Sequence, residues 1–187
     1  KDSFCYVGGI RSFVEELNKN REEVLFPQVL YFEEKQDDTV CEVALQYNDS
    51  YSEVIYSYAN NVNTIDGGTH VEGLKLALTK VINEYARKKG ALKEKDKNLS
   101  GEDVREGLCA VVSVKLPDAQ FESQTKAKLG NSEIRTIVET VVTAKLKEFL
   151  EENPATAKLI MDKSVLAYVA REKARLARER ERKSALS

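Results

Sequence analysis

One histidine and three cysteines are all the imidazole and thiol that 187 residues carry. With His70 serving every role, no Ser/His/Asp or Cys/His constellation can be completed. One His and the scattered Cys5, Cys41 and Cys109 do not make a recognisable zinc set. An odd, widely spaced group of cysteines argues against a disulfide framework and for a reducing compartment. No apolar run approaches the roughly 18–20 residues of a membrane helix. Lys1-Asp2-Ser3-Phe4-Cys5 leads into no signal-peptide core. Neither G-x-x-x-x-G-K-[ST] nor G-x-G-x-x-G occurs, so no autonomous phosphate cradle is visible. No sign of charge dominates: 29 Lys and Arg against 31 Asp and Glu leave -2. Nucleic-acid or membrane binding would therefore need a local patch. The expectation is a soluble cytoplasmic domain without catalytic chemistry of its own. Its start without Met suggests a fragment of a longer protein.

What is there reads as strands followed by helices. After Gly8-Gly9, Ile10, Phe13, Val14 and Leu17 recur at helical spacing, and Asn18 to Asn20 close the stretch. Val29-Leu30-Tyr31-Phe32 is an apolar strand-like run. Cys41, Val43, Leu45 and Tyr47 alternate with Glu42, Ala44 and Gln46, which predicts a strand with one face on a core and one toward solvent. Val54, Tyr56 and Tyr58 repeat the pattern. Gln36-Asp37-Asp38 and Asn48-Asp49-Ser50 suit turns.

Asp66-Gly67-Gly68-Thr69 opens a long helix, with Leu74, Ala77, Leu78, Val81, Ile82 and Tyr85 as its buried stripe. Thr69 and Glu72 have capping-box spacing. The glycines suit a tight turn, with His70 hydrogen-bonded locally. Gly90 ends the helix, and the lysine-rich stretch 91–106 reads as an exposed loop with one short helical turn. Leu108 to Leu116 is a strand stopped by Pro117-Asp118. A polar loop from Ala119 to Gly130 follows. Ile134, Ile137, Val138, Val141, Val142 and Leu146 mark a further helix. Asn153 as cap and Pro154 at the first position start the last one. That helix gathers Arg171, Lys173, Arg175, Arg178, Arg180, Arg182 and Lys183 against Glu172, Glu179 and Glu181, a local +4. Helices on one face of a sheet define an α+β layer.

The loop Phe121-Glu122-Ser123-Gln124-Thr125-Lys126-Ala127-Lys128-Leu129-Gly130 resembles the QTK loop of the bacterial type IIA topoisomerase ATPase subunits, those of DNA gyrase and topoisomerase IV. So do Gly8-Gly9-Ile10 with Phe13-Val14 and Leu17-Asn18, Glu42-Val43-Ala44-Leu45-Gln46, Asn60-Asn61, Asp66-Gly67-Gly68-Thr69-His70, Arg105-Glu106-Gly107-Leu108, Val111-Val112-Ser113-Val114-Lys115, Glu152-Asn153-Pro154 and Ala170-Arg171-Glu172. They occur in that family's order across nearly the whole chain. Tyr47 stands where many relatives carry Trp, Ala119-Gln120 replaces a commoner Pro-Lys, and Lys173 interrupts an alanine-rich stretch.

The resemblance implies the ribosomal protein S5 domain 2-like α+β sandwich with a long C-terminal helix. It implies a transducer domain at 1–153 and a basic helix at 154–187 leading toward a Toprim domain. It implies that Gln124 and Lys126 reach the γ-phosphate of ATP, with Mg2+, in an adjacent ATPase domain of the full-length protein. This chain alone is then expected to be inactive and to bind no cofactor. Expected partners are DNA, through Lys75, Arg171, Arg175 and Arg178, the DNA gyrase A protein or its topoisomerase IV counterpart, and a second copy in a homodimer; no membrane is expected. The location implied is the bacterial cytoplasm, at the chromosome. Two alternatives stand beside it: a free-standing S5-like nucleic-acid-binding module, and a MutL- or Hsp90-like transducer.

Overall fold

The computed structural model describes residues 9–19, 23–122 and 124–186. Five strands form one sheet in the order β1-β2-β5-β3-β4: β1 (Leu30–Gln36), β2 (Thr39–Tyr47), β3 (Val54–Ala59), β4 (Val62–Asn63) and β5 (Leu108–Lys115). Asp37 and Asp38 have positive φ (51° and 62°), as do Asn60 and Asn61 (51° and 67°). Two successive left-handed residues give the type I′ turn whose twist suits a two-residue hairpin, and Asp and Asn tolerate that conformation. Strand β1 outruns its apolar stretch because Glu33, Glu34 and Lys35 lie exposed on a sheet edge. Strand β3 joins β5 in parallel, so the intervening chain must cross over one face of the sheet.

Five helices complete the described residues: α1 (Gly9–Lys19), α2 (Thr69–Lys88), α3 (Gly101–Arg105), α4 (Ser132–Glu152) and α5 (Pro154–Leu186). The larger core lies between one face of the sheet and α2 with α4, where Val43, Leu45 and Val112 meet Leu74, Leu78 and Val138. A Cβ on Gly73 would sit 2.5 Å from the carbonyl oxygen of Arg135. Close approach of α2 to α4 therefore requires glycine there. On the other face, Ile10 and Val14 of α1 cover Ala44, Tyr58, Cys109 and Val111.

That second layer corrects the reading of β2 as half-solvated. Ala44 and Gln46 are buried because α1 covers them. Burying the Gln46 amide requires partners, and it has them. Asn18 Nδ2 donates to its Oε1 at 2.8 Å, and its own Nε2 donates to the carbonyl of Phe26 at 3.0 Å. Cys41 is buried as well, which pushes its thiol up to about 12; it is a small core hydrophobe. Cys5, Gly8, Asn20 and Ser123 lie outside the described residues.

Three further expectations are revised. The Thr69–Glu72 capping box does not form: Gly68 is the N-cap of α2, without a side-chain cap, and the Thr69 hydroxyl is buried with no hydrogen-bond partner. Thr69 is already helical, and its N–H donates instead to the carbonyl of Leu129 at 3.1 Å. A capping box does occur at α3, between Ser100 and Asp103. Second, the lysine-rich stretch is not simply exposed. Leu92, Leu99 and Val104 are buried, and the Arg87 guanidinium holds the loop through Lys93 O at 2.8 Å and Asn98 Oδ1 at 2.7 Å. The buried Tyr47 hydroxyl donates to Val104 O at 2.6 Å. Third, the Asn153 side chain closes α4 by donating to Phe149 O at 2.9 Å, while only its carbonyl starts α5 by accepting from Ala157 N–H.

Helix α5 is 33 residues long, about 50 Å at 1.5 Å per residue. Its first half buries Thr156, Ala157, Ile160, Met161, Ser164 and Ala167 against the body. Beyond Arg175 its side chains are mostly exposed. The whole is an α+β sandwich with a long C-terminal helix.

Candidate functional site

The loop between β5 and α4 has a bolted foot and a projecting polar tip. Leu129 is fully buried and Ala127 nearly so, whereas Gln124, Thr125 and Lys126 are exposed. Apolar residues after the tip, with Phe121 before it, anchor the loop on the core. Backbone bonds then fix its course. Glu122 N–H donates to Lys128 O at 2.9 Å, Gly130 N–H to Gln120 O at 2.7 Å, and Asp66 N–H to Ala127 O at 2.8 Å. Leu129 donates to Gly67 O and accepts from Thr69 N–H, both at 3.1 Å. The loop is thus laced to the turn that starts α2.

Gly68 makes that lacing possible. Its φ of 138° and ψ of -164° lie in a region that is essentially glycine's alone. A Cβ there would collide with the Leu129 backbone, whose nitrogen would be 2.6 Å away. Asn131 holds the other side of the loop. Its Nδ2 donates to Asp118 O at 2.9 Å, and its Oδ1 accepts from Gln120 N–H at 2.6 Å. Sequence reasoning missed both clamps. An Asn before a helix suggests a cap, but this one spends its amide on the loop and makes no side-chain cap.

At the tip Lys126 adopts φ 59°, a left-handed backbone that few non-glycine residues take up. Such conformations persist only when the surroundings impose them, and they cluster at functional positions. Lys128, by contrast, is turned back onto Glu122 at 3.5 Å. The exposed Gln124 amide and Lys126 ammonium can offer hydrogen-bond donors to an anion.

Beneath the loop's foot runs an open cleft of about 590 Å3, lined by Glu53, Asp66, Gly68, Glu72, Lys75 and Lys128 among others. Lys75 faces it from α2. A buried polar chain lies behind: Ser57 Oγ to Thr64 Oγ1 at 2.7 Å, and Thr64 Oγ1 to His70 Nε2 at 3.0 Å. His70 is wholly inaccessible, and burial pushes its imidazole down to about 4. It is a neutral structural residue, hydrogen-bonded locally.

The basic residues of α5 stand apart from the loop. Arg171 makes a two-pronged pair with Asp103, at 3.1 and 2.8 Å, which ties α5 to α3. Burial alone would raise the Asp103 carboxyl, but Arg171 and the Ser100 donors outweigh it and hold it below the usual carboxylate range. Arg175 bridges Glu172 at 3.0 Å and Glu179 at 2.5 Å along the helix. Arg178 is exposed. Gln124 and Lys126 therefore share one tip, Lys75 faces the cleft below, and Arg171, Arg175 and Arg178 belong to a separate surface. Among the described residues, no group of acidic, His and Cys side chains could hold a metal ion, and no helix is long and apolar enough to cross a membrane.

Comparison with known proteins meets this geometry. The chain is 57% identical over 177 residues to the DNA gyrase B protein of Clostridium acetobutylicum, covering 94% of this chain and 28% of that protein. It is 54% identical to the DNA gyrase B protein of Halalkalibacterium halodurans, covering 99% of this chain and 29% of that one. The 43K ATPase domain of Thermus thermophilus gyrase B, solved with an aminocoumarin, superposes with a TM-score of 0.85 at 42% identity, over 92% of this chain and 46% of the solved one. The topoisomerase IV ATP-binding domain of Francisella tularensis, solved with a small-molecule inhibitor, gives 0.71 at 26% identity, over 90% and 44%. The chain thus spans under a third of those two curated relatives and under half of either solved chain. A family model described as DNA gyrase B matches residues 9–180, and the chain belongs to that family.

Proposed function

We propose that this chain is the transducer segment of a type IIA topoisomerase of the gyrase B kind, coupling ATP hydrolysis in an adjacent ATPase domain to DNA strand passage and supercoiling. The observation that carries the reading is the loop: a left-handed, exposed Lys126 on a tip whose foot is hydrogen-bonded to the start of α2. Lys126 offers a compact cation to the γ-phosphate, and Gln124 offers an amide donor to a phosphate oxygen or the attacking water. Each charge-assisted hydrogen bond of this kind contributes about 1.5–3 kcal/mol. The contacts disappear with the phosphate, and a loop laced to α2 then passes the loss into the body of the domain, as other γ-phosphate switches do. Mg2+ would accompany the nucleotide in the neighbouring domain. The similarity to solved gyrase and topoisomerase IV chains that contain this fold as part of an ATP-binding region supports the assignment.

Residues 154–187 would lead toward a Toprim domain. Sequence-independent phosphate contacts would come first from Lys75 and Arg178. Arg171 and Arg175 could join only in competition with Asp103, Glu172 and Glu179. The remaining partners on this reading are a gyrase A-type protein and a second gyrase B-type chain, in the bacterial cytoplasm. Calorimetry tests the division of labour. The 187-residue chain should release no heat with ATP, whereas the full-length protein should bind it, and more weakly with Lys126→Ala. Micromolar binding to the chain alone, or unchanged affinity in the variant, would contradict the reading.

A further inference from the structure

Strand β5 loses its ladder at Lys115, well before the loop tip, and two asparagine side chains take over the hydrogen bonding from there. Asn60 sits in the turn between β3 and β4 at φ 51°. Its Nδ2 donates to Leu116 O at 3.0 Å and its Oδ1 accepts from Leu116 N–H at 2.9 Å, as a neighbouring strand would. Asn131 takes hold next, through Asp118 O at 2.9 Å and Gln120 N–H at 2.6 Å. Its remaining amide hydrogen goes to Glu133 Oε2 at 3.0 Å. The residue is only 3% exposed, so a fully partnered, buried amide ties the outgoing leg of the loop to the start of α4.

The two legs of the loop meet in a short antiparallel pairing, with Phe121 opposite Leu129. The returning leg is fixed to the start of α2, where Leu129 also bridges Gly68. One fixed leg leaves a hairpin free to pivot, and a grip on the other leg sets its angle. Lys126 stands three residues from Leu129. At about 3.3 Å per residue that is an arm of roughly 10 Å, so a tilt of about 6° moves the lysine by about 1 Å. A misplacement of that size can cost on the order of a hundredfold in rate. We propose that Asn131, backed by Asn60, is a positioning residue that sets where Lys126 stands, an assignment that rests on the loop acting as the ATP sensor. The task needs an amide. A carboxylate at position 131 would turn an oxygen toward the Asp118 carbonyl and the Glu133 carboxylate, both acceptors. Asp nonetheless starts helices as well as Asn does, so Asn131→Asp removes the tie and spares the start of α4.

ATP hydrolysis by the full-length protein tests it, with Asn131→Asp alone and combined with Lys126→Ala, at a temperature where circular dichroism shows each variant folded. Turnover at saturating ATP should fall by roughly tenfold to a hundredfold in Asn131→Asp. Beside Lys126→Ala the same change should cost less than about twofold more, because no lysine is left to misplace. Asn60→Gly is the gentler probe. Glycine keeps the left-handed turn, so only the amide is lost. Turnover should fall by about threefold, the worth of one ordinary hydrogen bond, again only where Lys126 is present. Near-parental turnover in a folded Asn131→Asp, beside a crippled Lys126→Ala, would overturn the positioning role alone; if Asn131→Asp does not fold, the same result in Asn60→Gly would do so. Equal losses with and without Lys126 would make the asparagines structural supports only, and would overturn it as well. Near-parental turnover in Lys126→Ala would remove the sensor and this role with it.

Discussion

Replacing Gly68 with alanine should unfasten the loop from α2, and its cost follows from three features. The Gly68 backbone, at φ 138° and ψ -164°, lies where a side chain costs about 1–3 kcal/mol. The added Cβ would overlap the Leu129 backbone, so the loop must move away. Moving it sacrifices the Thr69 N–H to Leu129 O bond and the Leu129 N–H to Gly67 O bond, about 1 kcal/mol each. The total is about 4 kcal/mol. At about 2–4 °C per kcal/mol for a chain of this size, the thermal midpoint should fall by about 10 °C. Gly90→Ala is the control. Gly90 also has positive φ, 80°, but nothing lies within 4 Å of its would-be Cβ. It should cost only about 1 kcal/mol of backbone strain. Thermal unfolding of both variants by circular dichroism separates close approach from strain. If Gly68→Ala melts within ~3 °C of Gly90→Ala, the difference having been set at about 3 kcal/mol, the loop is not held by the contacts described.

The buried His70 gives a pH signature. Its imidazole protonates near 4 in the folded chain against 6.5 ordinarily, so the unfolded chain binds more protons between those values. Stability present above pH 6.5 is lost as the pH falls toward 4, by on the order of 3 kcal/mol in all. Urea unfolding of a His70→Gln variant should show a flatter profile across that window; parallel profiles would acquit His70. Arg171→Ala strands the carboxylate of Asp103, which is 3% exposed. Loss of one partner of a fully buried pair costs about 3–5 kcal/mol, and solvent at the half-exposed arginine trims that to about 2 kcal/mol. A loss of stability in urea below about 0.5 kcal/mol would show that Ser100 alone satisfies Asp103.

What was legible in the sequence followed from periodicity and turn chemistry. The stripe from Leu74 to Ile82, with Tyr85 only partly buried at its end, the Asp37-Asp38 turn and the strand from Leu108 each needed only local pattern, and each is present. The loop was legible as a motif, Gln124 to Lys126 between apolar anchors. Its fastening was not, because Gly68 and Leu129 are distant in sequence and meet only after β5 and α2 pack. The same holds for Thr69, whose capping spacing with Glu72 was correct but whose N–H a remote carbonyl had taken. Solvation of β2 was misjudged at Ala44 and Gln46 because alternation cannot reveal that α1 covers the outer face. Arg171 read as a surface cation, and only the fold reveals its partner, Asp103.

The most direct measurement is the steady-state rate of ATP hydrolysis by the full-length protein carrying Lys126→Ala, with its thermal midpoint measured beside it. Lys126 is exposed at the loop tip, so the midpoint should stay within ~1 °C of the parent, as for other surface substitutions. Turnover at saturating ATP should fall by about a hundredfold or more, as for removal of a charge-stabilising donor. Near-parental turnover at an unchanged midpoint would contradict the assignment of the loop as an ATP sensor.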